Sequence, residues 1–157
     1  VDTAPRVVWL SDGGRGFWRV YRTCFATAIA VLDFFHAASH LARATEALFG
    51  TCRSPEAQSW FRRWRHWLRH GQAQRVRRAL TQLIHLPGWS ASAFATLLQV
   101  QAYFQRHHHH TRYQTFDRLG LPLGSRMVES ACKWLIQQRF KGVGMRWSDD
   151  GFKLLSI

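Results

Sequence analysis

Three acidic residues hold the positions from which chemistry is done. Asp12 closes one apolar run, Asp33 closes a second, and Glu129 falls in the first turn of a helix expected over 126–141. Carboxylates at the carboxyl ends of strands stand where open α/β sheets build their sites. One early in a helix faces the positive end of the helix dipole. Brought together, such groups call for cations. Mg²⁺ takes oxygen ligands, typically one or two carboxylates with water and substrate phosphate. A pair of such ions can stabilise the attacking and leaving oxygens of an in-line phosphoryl displacement. Spacing alone leaves plainer readings open: Asp12 as a turn residue at a strand end, Asp33 as an ordinary helix N-cap. His36 and His40 have the i, i+4 spacing of a metal-binding pair. The glutamate of the His-Glu-x-x-His motif is missing there, however, and no third strong ligand is evident. A structural role for at least one of the two is the simpler reading, and a histidine-rich zinc protein is the remote one. The run His107 to His110 is assigned no catalytic role.

The elements that must position these residues are legible from pattern. Residues 6–11 are β-branched and aromatic and end at Asp12-Gly13-Gly14, which predicts a buried strand and a turn. Residues 16–24 fit a short helix or an irregular connection. Residues 26–32 read as a second buried strand. Phe34, Ala37, Ala38, Leu41, Ala44 and Leu48 repeat at helical spacing, so a helix is expected from about Phe34 to Phe49, stopped by Gly50. Residues 55–71 carry Trp60, Trp64, Trp67 and Leu68 on one stripe. Further helices are expected over 72–86, broken by Pro87-Gly88, and over 90–106. The order is strand, connector, strand, helix, helical insert (about 50–118), helix. That is an α/β domain, mostly helical by residue count, with residues 1–157 as one unit.

Composition narrows the partners. The chain has 157 residues, 46% of them apolar, with 8 Trp and 11 Phe, which excludes a disordered tail. Lys and Arg number 22 against 9 Asp and Glu, a formal charge of +13. Such an excess favours a polyanion, because bound cationic side chains displace condensed counterions from nucleic acid. No stretch has the ~18 apolar residues of a membrane span, and the first residues do not form a signal peptide. Cys24, Cys52 and Cys132 show no Cys-x-x-Cys spacing and read as reduced thiols of a cytoplasmic, nucleoid-associated protein.

Three segments carry a family resemblance. The first is Val7-Val8-Trp9-Leu10-Ser11-Asp12-Gly13-Gly14. The second is Leu32-Asp33-Phe34-Phe35-His36-Ala37 with His40-Leu41. The third runs from Gly120-Leu121-Pro122-Leu123-Gly124-Ser125 through Glu129-Ser130-Ala131-Cys132-Lys133 to Arg139-Phe140-Lys141 and Gly144-Met145-Arg146-Trp147-Ser148. In this order they resemble the DDE transposases of bacterial insertion sequences, specifically the Kra-type family. The resemblance implies a partial RNase H-like catalytic domain with a helical insertion. It implies Mg²⁺ (or Mn²⁺) as cofactor, transposon ends and target DNA as substrates, and a homo-oligomer in the intact enzyme. Asp12 then matches the second catalytic carboxylate and Glu129 the third, both as metal ligands. Asp33 and His36 match an accessory signature. The family's first catalytic Asp belongs to an earlier strand, so the chain is expected to be a truncated copy lacking it. Arg126 stands where the family usually has Gly.

DNA contact is expected along the basic helical middle, from Arg62, Arg63, Arg65, Arg69, Arg75, Arg77 and Arg78, since guanidinium bonds phosphate in a bidentate way. The resemblance adds Lys133, Arg139 and Lys141. The tryptophans could stack on unpaired bases, although a stripe at helical spacing is more simply core. The alternative function is a non-catalytic DNA-binding remnant of a transposase.

Overall fold

A computed structural model describes residues 7–125. Glu129, Lys133, Arg139 and Lys141, together with the helix expected over 126–141, lie outside the described residues.

The chain enters strand β1 (Val8–Ser11), passes through helix α1 (Arg15–Cys24), and returns as strand β2 (Ile29–Leu32). The two strands pair in parallel, with Val8 opposite Ile29 and Ser11 opposite Leu32. Parallel neighbours cannot be joined by a tight turn and need a crossover, and α1 is that crossover. It is a helix because one face has work to do: Trp18 is buried and Tyr21 packs against Trp9. The second strand starts later than its apolar run suggests. Ala26 to Ala28 form a turn instead, in which Ala28 N donates to Phe25 O and the Tyr21 hydroxyl donates to Ala28 O. The chain must reverse after α1 before it can enter the sheet. The first strand was expected to be buried; its four residues are half-buried, whereas Val31 and Leu32 of β2 are wholly inaccessible.

Helix α2 (Phe34–Phe49) follows directly from β2. Phe34, Ala37, Ala38, Leu41 and Ala44 are buried as their spacing requires. Alanines on this face allow close approach by α5 (Ala91–Arg106) and α3 (Pro55–Arg69), which pack on it. Gly50 ends α2 in the left-handed conformation, at φ 69°, where a residue with a Cβ would be strained. Helix α4 (Ala73–Ile84) bridges α3 and α5. A 3-10 turn (His108–His110) and a short α6 (Tyr113–Arg118) complete the element order. Pattern had suggested neither. Burial of Tyr113 and Phe116 holds α6, and Tyr113 is edge-on to Phe34, with centroids 5.1 Å apart. The tryptophan stripe of α3 resolves as core. Trp64 is 3% exposed and stacks on Trp60 at 3.8 Å.

Asp33 caps α2. Its Oδ1 accepts from the backbone N–H of Phe35 at 2.7 Å and of His36 at 3.1 Å. Asp33→Ala is expected to cost about 1–2 kcal/mol through these bonds, while Asp33→Asn, which keeps an acceptor, loses less. Urea denaturation midpoints at constant m would measure both.

Candidate active site

The parallel register decides what meets at the sheet's end. Ser11 and Leu32 are the last paired residues, so Asp12 and Asp33 leave neighbouring strands side by side. Asp33 N donates to Ser11 O at 2.8 Å, which continues the ladder to that point. Asp12 is exposed, and its Oδ1 accepts from Gly14 N at 2.9 Å in a tight turn. Asp33 is 1% exposed and lies at the start of α2. His36 is exposed, with Nδ1 3.5 Å from Asp33 Oδ1. Asp33 and His36 are thus in contact, and Asp33 is the N-cap of α2: the same carboxylate oxygen faces both the cap amides and His36.

Helix α5 closes the site from the other side. The Tyr103 hydroxyl donates to the backbone oxygen of Asp12 at 3.1 Å. Its ring abuts Gly13, where a Cβ would come 2.7 Å from Tyr103 Cε2; Gly13 also sits at φ 93°. The turn after β1 needs glycine on both counts. Burial holds the Tyr103 hydroxyl well above the ordinary tyrosine pKa, and the charges of Asp12 and then Asp33 push it the same way. Both carboxylates thus act on one phenol, which stays protonated and remains a donor.

Histidines line the same region. His40 stacks on Tyr103 at 3.7 Å. Burial lowers its pKa to about 4, with further contributions from Arg43 and His36. His107 and His110 are also lowered to about 4, chiefly by burial and then by neighbouring cationic or histidine groups. His107 is 2% exposed, and neither ring nitrogen makes a well-formed hydrogen bond. The Gly13 backbone favours its protonated form, but burial outweighs that. Trp18 stacks on His110 at 4.2 Å and lies 5.0 Å from His107, which ties α1 to the end of α5.

Sequence reasoning missed Tyr103, His107, Trp18 and His110. A signal existed for two of them: Leu97, Val100, Phe104 and His107 continue one helical face, with Tyr103 beside it. Read as a run of four histidines, His107 was detached from the helix that buries it.

The donors suit a hard cation. Asp12, exposed at the end of β1, offers oxygen, the preference of Mg²⁺ and Mn²⁺, whereas Asp33 is 1% exposed and its Oδ1 caps α2. Among the described residues, no group of three or more His, Cys, Asp and Glu side chains gathers to hold a metal. His36 and His40 therefore have no third partner for zinc there. Cys24 and Cys52 are exposed and free.

The seven arginines of α3 and α4 divide by environment. Arg62, Arg63, Arg65, Arg75 and Arg78 are exposed. Arg63 and Arg75, from adjacent helices, both lie over the Trp67 ring, at 5.6 and 6.0 Å. Arg69 is half-buried and paired with Asp117 at 3.0 Å, and Arg77 is half-buried with its Nε unpartnered. The exposed five form the surface that a phosphate backbone could reach.

No known family model, curated protein or solved structure matches the chain.

No helix among the described residues is long and apolar enough to cross a membrane.

Proposed function

We propose that the chain is the C-terminal catalytic part of a DDE-type DNA transposase with an RNase H-like fold, which cleaves and joins DNA at insertion-sequence ends. The observation that carries this reading is that Asp12 and Asp33 directly follow Ser11 and Leu32, the last register pair of two parallel strands. It coincides with the first two segments of the resemblance, in their order. The lead-in to the third segment is consistent with it: Leu123 O accepts from Phe34 N at 2.8 Å, so the chain passes the start of α2 shortly before Glu129.

Asp12 and Glu129, completed by the carboxylate that the resemblance places on an earlier strand, would hold Mg²⁺ or Mn²⁺. When bound, such ions neutralise charge at a phosphoryl centre and make bound water a stronger nucleophile. Within the chain, Tyr103 fixes the turn that carries Asp12, Asp33 fixes the start of α2, and the arginines of α3 and α4 bind DNA backbone. Homo-oligomerisation and a nucleoid-associated, cytoplasmic location follow from the same reading.

Paramagnetic Mn²⁺ added to the ¹⁵N-labelled chain should broaden the amides of Asp12, Gly13 and Gly14 first, and Asp12→Asn should remove that effect. Broadening centred on the histidines instead would overturn the assignment. The second reading is a non-catalytic, DNA-binding relative of such an enzyme. The five exposed arginines of α3 and α4 support it, since they need no metal to meet a phosphate backbone. Salt-sensitive DNA binding without Mn²⁺ broadening at Asp12 would select it.

A further inference from the structure

Beside Asp12 lies a cavity of about 290 Å³ that the acidic residues do not account for. Among the described residues, neither Asp12 nor any other carboxylate lines it. Arg15 and Arg22 reach it from α1, and Arg106 from the last turn of α5. All three are exposed, and none forms an ion pair among the described residues. The remaining wall is aromatic and polar at once. Trp18, His107 and His110 line it, and Trp18 Nε1 and His110 Nδ1 are buried with no hydrogen-bond partner. The His107 ring, in a residue 2% exposed, makes no well-formed hydrogen bond and has the Gly13 backbone beside it. Buried polar groups are nearly always satisfied, so a cluster of exceptions around one cavity asks for a ligand. Gly13 and Arg15, which flank the N-cap of α1, both line the cavity. That helix begins with no side-chain cap and no acidic residue in its first turn. Its first amides add positive potential at the same place.

The ligand chemistry follows from this set. An apolar guest would leave the nitrogens unpartnered, and a cation would meet three guanidinium groups. A phosphate suits the set, since several acceptor oxygens can engage guanidinium forks and ring N–H donors together. We propose that the cavity is a phosphate pocket, in which Arg15, Arg22, Arg106 and the ring nitrogens of Trp18, His107 and His110 hold one phosphate of a nucleic-acid strand next to Asp12. This deepens the nucleic-acid reading given above and rests on it, but it does not depend on a bound metal.

The test uses the whole ¹⁵N-labelled chain and two probes. Inorganic phosphate should shift the Trp18 indole signal and the ring nitrogens of His107 and His110. Joint replacement of Arg22→Ala and Arg106→Ala should weaken that response by about 10-fold or more. Both arginines are exposed, so an unchanged melting temperature is expected to confirm an intact fold. The pair Arg53→Ala and Arg118→Ala, both exposed and outside the cavity wall, should leave the response as it was. A short oligothymidylate carrying a 5′-phosphate should move the same signals at concentrations at least about 10-fold lower than free phosphate, through its added contacts. Signals that stay fixed in phosphate would overturn the pocket. A response to inorganic phosphate that the oligonucleotide does not share would overturn the nucleic-acid half and leave a site for free phosphate. A phosphate response without Mn²⁺ broadening at Asp12 would overturn the metal site while leaving the pocket standing.

Discussion

Asp12→Asn is expected to reduce metal-dependent DNA cleavage by at least about 100-fold, the loss typical of removing one preorganised electrostatic partner from a transition state, while DNA affinity stays level or rises slightly. The two outcomes separate because they rest on different charges. Asp12 is exposed at the end of β1, and among the described residues the hydrogen bond its side chain makes is to the Gly14 amide. An asparagine oxygen can accept that same bond, so the turn survives, with Tyr103 still donating to the backbone oxygen of residue 12. What disappears is one negative charge in a chain whose formal charge is +13. A polyanion is bound no less well after that loss. A cation held by hard oxygen ligands loses its anionic partner. The measurement is cleavage of labelled duplex in Mg²⁺, in an intact enzyme that supplies the first carboxylate, alongside filter binding over a salt series. Glu129→Gln should behave in the same way. Full cleavage by either variant would remove it from the catalytic set. Absent cleavage in the unaltered protein, with salt-dependent binding retained, would choose the non-catalytic reading.

The largest expected effect on stability is that of Trp64→Ala, about 3–5 kcal/mol. Against a typical domain stability of roughly 5–15 kcal/mol, that is enough to leave much of the protein unfolded. Trp64 is 3% exposed, stacks on Trp60 at 3.8 Å and lies 6.0 Å from Trp67. Truncation leaves a cavity between α3 and its neighbours that a rigid helical frame cannot fill. Trp60→Ala, at a half-buried position, should cost less. Arg62→Ala, on the outer face of the same helix, should fall within about 0.5 kcal/mol of the unaltered protein. Chemical denaturation of the three variants orders them. Were Trp64→Ala to fold normally and lose affinity for single-stranded DNA, the stripe would be a base-stacking platform and the core reading would fail.

Helix α2 shows why some of this was readable beforehand. Its apolar residues recur at helical spacing, Asp33 and Gly50 mark its ends, and the helix spans Phe34–Phe49 as the pattern required. Periodicity and capping are local properties, so local sequence carries them. Strand β2 was placed three residues early, because Ala26-Thr27-Ala28 is compatible with strand or turn and only the exit of α1 makes it a turn. The short α6 escaped because six residues give too little periodicity. It is held by burial of Tyr113 and Phe116 rather than by its own propensity.

The candidate site divides along the same line. By itself the sequence determined that Asp12 and Asp33 end strands, that the chain is a strong polycation, and that α3 has one tryptophan face and one arginine face. The tertiary structure alone decided that those two acids are register neighbours. It decided too that Tyr103, 91 positions from Asp12, pins the first of them. The cavity of Arg15, Arg22 and Arg106 around His107 has the same origin. Contacts of that range depend on how α1 and α5 dock on the sheet, and docking is set by the fit of whole buried faces, which no spacing within a single segment records.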